Sequence, residues 1–466
     1  MPGLFAGLEI GKRALLSTQV SMQTIGHNIA NVNTPGYTRQ RVMMTEALPE
    51  SSAHGPLGSG VRVDSVRHMR DLFLGRQYRE AQKGLGEWTY KQKTMDQIEN
   101  LFNEPQDGSL GELVDQFFNS WSTLETDPTL AGNRSAVVAS ANELVHLINQ
   151  RANSLIQLRD AVDRDIVNTT EEVNRLTTEI AHLNFQIKSS ELGNFRANDL
   201  RDQRDLLIDQ LSNTIDVNVM EQSDGTATVS MGSMILVDGV YQLPIGTNAV
   251  HDGEKVTHEL VWQGTDVGLK NVNGELAGLL ESRDSIIPRY LNELDQLART
   301  LVESVNSLHE AGYGLNGSTG VSFFDPTNLT AASIRVSREI ELDINRIAAS
   351  GTSDIDVNDA IVAQQITALR DAMTMNNGSM TMTDFYTSMV GKVGIETREA
   401  TSYTTNFSLM LQQVDNQRQS VQGVNLDEEM VNLVKYQQAY DAAARVITTM
   451  DQALDTIIHS MGLVGR

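Results

Sequence analysis

The chain has 466 residues, and its 60 Asp and Glu outnumber its 36 Lys and Arg, for a formal charge of −24; there is no cysteine. A polyanion repels phosphate backbones, which argues against a nucleic-acid partner, and the missing thiols exclude disulfides, thiolate metal sites and Cys nucleophiles. The length calls for two to four domains at roughly 150 residues each, and no apolar run approaches the ~18 residues of a membrane span, so membrane insertion is not expected.

Residues 4–33 place Leu8, Leu15, Met22 and Ile29 seven apart, with Leu4, Gly11, Thr18, Ile25 and Val32 in an offset row. That is a heptad stripe made for another helix. It stops at Asn33-Thr34-Pro35-Gly36, where Pro holds Thr34 extended and Gly permits a turn. Lys12 and Arg13 lie inside the segment and no small-residue cleavage site follows, so it does not read as a cleaved signal peptide. Residues 37–66 alternate as two strands, with a Gly/Pro/Ser-rich hairpin tip at 49–60. Helical patterns resume over 69–103 and 109–126, broken by Pro105 and Pro128.

The nine prolines leave 129–243 and 327–466 free of them. Within the first gap, Leu155, Val162, Thr169, Leu176 and Leu183 form one heptad row and Ile166, Val173, Ile180 and Ile187 another. A helix over 134–191 would be about 85 Å long, the length of a rod. From 214 to 265 the chain turns to Val, Thr and regularly spaced Gly, which reads as antiparallel β structure. A helix is expected over 275–309, then a Gly/Asn/Ser loop, a β-like piece at 331–342, and helix from 357 with breaks near Asn376-Asn377-Gly378 and Gly423. The last helix mirrors the first. Leu426, Leu433, Tyr440, Ile447, Leu454 and Met461 fall seven apart, beside Tyr436, Ala443, Met450, Ile457 and Val464. Asn425 or Asp427 is placed to cap it, with Asp427-Glu428-Glu429 at the positive end of its dipole.

Catalytic patterns are missing or misleading. Gly312-Tyr-Gly314-Leu-Asn-Gly317 matches GxGxxG, but a helix precedes it where a dinucleotide fold needs a strand. Asp354-Ile-Asp356-Val-Asn358-Asp359 mimics a calcium loop without its Gly and Glu, and reads as a turn capping the next helix. The nine histidines make no metal-binding pair, and the carboxylates stand beside Lys and Arg on helix faces, where solvation accounts for them. No enzyme, metal or cofactor is expected.

The segment Ala30-Asn31-Val32-Asn33-Thr34-Pro35-Gly36-Tyr37, closing a heptad helix, resembles the signature of bacterial flagellar axial proteins. Four further segments resemble the hook-associated, hook–filament junction family within that group. They are Asn198–Asp205, Asn273–Leu280 running into Arg283-Asp284, Asn306–His309 through Phe323-Phe324, and the tail from Val424 through Tyr436-Gln-Gln-Ala-Tyr440 to Ile447. The chain is short for the family, which implies that an outer domain of longer members is reduced or missing.

The resemblance implies a structural subunit exported unfolded through the flagellar type III apparatus without a cleaved signal, and located outside the cell in the flagellum. It further implies self-association in a ring, contacts with the hook protein and a second junction protein, and an export chaperone on the C-terminal helix. The expected fold is mainly α with an inserted β domain, an elongated antiparallel bundle built from both ends of the chain. Its expected parts are a coiled-coil helix over 1–36 paired with 424–466, a rod from 37–213 and 346–423, and a β-rich insertion over 214–345. The expected assembly interface is Leu8, Leu15, Met22, Ile25 and Ile29 with Leu426, Leu433, Tyr436, Tyr440, Ile447, Leu454, Ile457 and Met461. Asn31, Asn33, Pro35, Gly36 and Tyr37 form the expected hinge.

Overall fold

The computed structural model describes residues 2–52, 55–102, 108–193, 196–232, 234–253, 255–265, 267–269, 272–353 and 359–460. Helix α1 (Pro2–Ala30) leads into a long antiparallel hairpin, β1 (Gln40–Glu46) with β4 (Val61–His68), whose tip holds the short pair β2 (Glu50–Ser52) and β3 (Gly55–Leu57). Helices α2 (Leu72–Phe102), α3 (Leu110–Thr126), α4 (Ala131–Ser190) and α5 (Asn198–Thr214) follow. Ser109 starts α3 by accepting from Glu112 N–H. With 60 residues, α4 is about 90 Å long. Its two heptad rows face the core, where Leu155, Ile166, Val173, Ile180 and Ile187 have no exposed surface.

Six strands come next: β5 (Asn218–Glu221), β6 (Ala227–Met231), β7 (Met234–Asp238) and β8 (Tyr241–Gln242) form a meander, and β9 (Ile245–Asp252) pairs with β10 (Lys255–Trp262). Both groups rest on α4, which grips their backbones with polar side chains spaced about three turns apart. The Asn184 amide donates to the carbonyls of Ala227 and Gly239 and accepts from Ala227 N–H. Asn174 exchanges a bond pair with Ile245. Asp163 accepts from the backbone and ring of His258 and from Arg283. Burial pushes the Asp163 carboxyl up, but these donors outweigh it and hold the group below its ordinary range. Arg283 is thereby a strut between α4 and β10.

The expected helix 275–309 is α6 (Glu275–Glu281), a π turn at Ser282–Ile286, and α7 (Ile287–His309). The interruption precedes Pro288, which has no N–H to continue the ladder. The β-like piece expected at 331–342 is instead a turn followed by α8 (Arg338–Leu342), because Ser337 caps Glu339 N–H and starts a helical turn. Tyr313–Gly314 (β11) pairs with Ala348–Ser350 (β12), so the GxGxxG match is a packing device. A side chain at Gly312 would meet Ala348 and Val362, and one at Gly314 would meet Asn345 O. The calcium-like segment lies outside the described residues except for Asp359, which accepts from Ser350, Gly351 and Thr352 and so closes a turn. Helix α9 (Ile361–Ala368) precedes α10 (Met382–Gln422) and α11 (Leu426–Asp455), with a π turn at Thr456–Ser460; Met461 and Val464 lie outside the described residues.

The few aromatic residues concentrate in one place. Phe117, Phe118, Trp121, Phe323 and Phe324 are fully buried, with Trp121 edge-on to Phe323 at 5.3 Å. His309 completes this core. Its Nδ1 lies 2.6 Å from Val321 O and its Nε2 accepts from Ala348 N–H at 2.8 Å, which specifies the neutral Nδ1–H tautomer. Burial pushes the ring down to about 4. Between about pH 6.5 and 4 the unfolded chain binds this proton and the folded chain does not, so stability falls as pH is lowered through that window. The full loss is about 3 kcal/mol. NMR titration is expected to show the His309 ring neutral at pH 5, and His309→Asn is expected to flatten the pH dependence of denaturant melts between pH 7 and 4.5. A His309 midpoint near 6.5 would contradict the assignment.

Candidate assembly site at the terminal helix pair

Helices α1 and α11 run antiparallel, and three contacts fix their register. A Cβ on Gly7 would lie 2.9 Å from Met450 Cε, one on Gly11 would lie 2.8 Å from Ile447 Cγ1, and Asn28 Nδ2 donates to Glu429 Oε2 at 3.1 Å. The paired residue numbers sum to 457 or 458 in all three. That register sets Tyr440 opposite Ser17–Thr18 and Tyr436 opposite Ser21. Small residues on α1 therefore receive large ones from α11.

The burial pattern follows from this. The deeply buried face of α1 is the small and polar one: Gly11, Ser17, Thr18, Ser21, Thr24, Ile25 and Asn28. Ser21 and Thr24 donate to carbonyls four residues back, so their hydroxyls are satisfied inside the seam. Leu8, Leu15, Met22 and Ile29 flank it half-buried. On α11, Leu433, Tyr436, Tyr440, Ile447, Leu454 and Ile457 are half-buried, whereas Leu426 points to solvent at 46% exposure. Heptad spacing alone ranked the leucine row first; side-chain volume reverses the order.

Where α1 ends, polar side chains lock the pair to the hairpin. The chain turns through Asn31–Gly36, with Asn31 accepting from Thr34 and Gly36 at φ +77° against Leu206. Asn33, Pro35 and Gly36 are exposed, and Tyr37 folds back to donate to Asn28 Oδ1 at 2.7 Å. Burial, then the carboxylates of Asp199, Asp202 and Glu429, push the Tyr37 phenol far up, so it remains a donor. Asn28 also pairs with both backbone groups of Gln40. Arg39 bonds Glu428 through both terminal nitrogens and Glu429 through Nε at 2.7 Å. The Glu428 hydrogen bond holds the Arg39 guanidinium up, and the same contact holds Glu428 down. Asn425 caps α11 by accepting from Asp427 and Glu428 N–H.

Helix α5 fastens this assembly to the helical body. Asn198, Asp202, Asp205 and Asp209 recur at three and four residues, hence on one face. Asn198 donates to Val66 O, and Asp202 accepts from Thr38 N–H and contacts His68 at 2.9 Å. Asp205 pairs with Arg70; Asp209 bridges Arg79 of α2 and Arg418 of α10 at 2.8 and 2.5 Å. Asp199, on the next row, accepts from Gln40 and faces His27. From the opposite side Arg201 grips Glu191 and Glu221, while Arg204 donates to Asn184 and Gly225 O. Burial, then Arg201 and Arg70, push Arg204 down to about 9, which leaves it charged at neutral pH. Asp202, Asp205 and Asp209 are buried, which corrects the reading of such carboxylates as solvated. Between α5 and the turn lies a polar cavity of about 370 Å³.

Among the described residues, no group of three or more His, Asp or Glu could hold a metal ion. Nor is any helix long and apolar enough to cross a membrane. The geometry is that of a joint between two helical layers.

Two outcomes test the joint. Gly11→Leu overfills the contact with Ile447 and is expected to cost about 1–3 kcal/mol of terminal pairing, read as faster amide exchange in α1 and α11 with the body's melt unchanged. Asp209→Ala leaves Arg79 and Arg418 without their shared carboxylate and is expected to cost about 3–5 kcal/mol in chemical denaturation.

Comparison with known proteins places these features. The family model described as flagellar hook-associated protein FlgK helical domain matches residues 95–324. The model of the flagella basal body rod protein matches 8–38, and that of the flagellar basal body rod FlgEFG protein C-terminal region matches 416–459, so both fall on the terminal pair and its approach. Flagellar hook-associated protein 1 of Bacillus subtilis is 31% identical over 100% of both chains; that of Salmonella typhimurium is 27% identical over 96% of this chain and 98% of its own. The solved flagellar hook junction protein FlgK from Burkholderia pseudomallei shares the fold, with a TM-score of 0.66 at 16% identity, covering 74% of this chain and 100% of that one. The mainly helical architecture with a central β-rich region is thus a known one, and the full-length identity to the Bacillus protein shows that the chain belongs to the flagellar hook-associated protein 1 family.

Proposed function

We propose that this chain is a structural subunit of the bacterial flagellum that forms the junction between hook and filament and polymerises through its terminal helix pair. The observation that carries the reading is the apolar surface this pair leaves uncovered. Phe5, Leu16, Met430, Val431, Val434 and Ile458 are 48–67% exposed on two helices already paired with each other. A bilayer does not explain it, since neither helix is a spanning segment. Neighbouring copies do, because packing around the pair removes that surface from water at about 25 cal/mol per Å². The family is a structural one, and its members are not enzymes.

On this reading the copies close into a ring between the hook protein below and a second junction protein above. Before assembly an export chaperone covers α11, and the chain reaches the cell exterior through the flagellar type III route without a cleaved signal. Residues 1–36 with 424–466 act as the inner coiled-coil layer. Segments 37–213 and 346–423 form the rod around it, and 214–345 is an insertion on that rod. The terminal modules shared with basal body rod proteins suit any axial subunit; the match over 95–324 favours the junction over a hook or rod position.

The test is complementation of a strain lacking its own junction protein. The intact chain is expected to restore attached filaments, and a chain truncated after Asn425 to shed flagellin into the medium. Normal filaments from the truncated chain would overturn the role given to α11.

A further inference from the structure

The net charge is not spread evenly over the fold. Residues 1–70 and 424–466 together carry 10 Lys and Arg against 10 Asp and Glu, so residues 71–423 hold the remaining 26 against 50, the whole of the −24. Copies that meet side by side through such a body repel one another except where its surface is uncharged.

One helix surface in the body meets that condition. Residues 400–414 of α10 contain no Asp, Glu, Lys or Arg, the longest such run in any helix of 71–423 among the described residues. The inner side of this stretch packs on α2: Phe407 fills the space over Gly84, Tyr403 stacks on Trp88 at 4.1 Å, and Ala400 and Val414 are buried. The outer side is bare. Leu409 is 59% exposed and Met410 44%, with Ile395 at 63% one and a half heptads earlier or nearer on the same helix. Between them Thr401, Thr404 and Thr405 donate their hydroxyls to carbonyls four residues back at 2.8–3.0 Å, which spends their donors within the helix. A solvated helix face in an acidic body carries charge; this one shows methyls, a thioether and amides, the composition of a contact core.

We infer that the outer face of α10 around Tyr403, Leu409 and Met410 is the lateral contact between the bodies of neighbouring copies of this chain. A second copy is the occupant for two reasons. Like-charged bodies can approach only across an uncharged surface, and α10 passes through the short Gly423–Val424 connection directly into α11, so this face continues the apolar surface of the terminal pair. The inference rests on the self-assembly reading above and extends it from the termini to the body.

The test uses the full chain in assembled flagella, with a benzophenone amino acid at Leu409 and, separately, at Val431 on α11. Irradiation is expected to give a product of two chains, each 51.3 kDa, from both sites. A two-chain product from Val431 with none from Leu409, or a Leu409 product with a different flagellar protein, overturns the body contact and leaves terminal assembly standing. No two-chain product from either site overturns both. Leu409→Glu supplies an independent measure: the concentration needed for self-association is expected to rise about tenfold, with helix content and melting unchanged. An unchanged threshold would also overturn the contact.

Discussion

The row of polar side chains on α5 is the constraint on which the rest depends. Asn198, Asp202, Asp205 and Asp209 reach four separate parts of the chain: the hairpin, the turn after α1, α2 and α10. None of those parts shares much apolar surface with the others at this level, so no hydrophobic contact could hold them in one geometry. Buried ion pairs contribute little net stability because desolvation opposes them, yet breaking one strands a charge. The consequence is directional. An arrangement that offers every carboxylate its donor is kept, and small displacements are costly. The joint is therefore specified by polar geometry, while the layers on either side are specified by apolar packing.

Much of this fold is legible in sequence because a helix advertises itself by period. The heptad rows of α4, the stop at Pro35-Gly36, the hairpin and the cap at Asn425 are all readable from residue type and spacing. What period cannot show is volume matching across a seam. Gly7 and Gly11 look like weak points in a helix, and they mark its closest approach only when Met450 and Ile447 stand opposite. The α5 row hides for a different reason. Asp beside Arg on a helix looks solvated, and only the tertiary fold shows Asp202 at 4% and Asp209 at 8% exposure with partners 130 or more residues away. Resemblance pointed to Asn198–Asp205 as a signature; its physical task was visible only in three dimensions. The same holds for Asn306 and His309, whose side chains complete the backbone hydrogen bonding of Phe324 and Ala348.

The distribution of burial gives the two layers different stabilities. The body has a contiguous core from α2 to α10, centred on the aromatic group around Trp121. The terminal pair has a two-helix seam whose buried face is largely Ser, Thr and Gly. Two helices of about 30 residues with so little buried apolar surface lie near the limit of independent stability, since helix propagation alone scarcely exceeds its nucleation cost. Their remaining apolar surface is available only to other copies. Folding of the ends is thereby coupled to association, which keeps the unassembled chain from associating strongly and lets it pass through a narrow route before it orders.

Charge and packing then act at different radii. If the neutral termini pack at the centre of an assembly, the −24 of the body lies further out, where separation and counterions weaken repulsion between copies. A uniformly acidic chain of the same composition would place like charges at the closest contact. Segregating the charge removes that penalty from the seam, and an uncharged strip on α10 removes it from the flank. The composition that first reads as merely acidic is thus partitioned by position: uncharged where copies must touch, and charged where the body faces water.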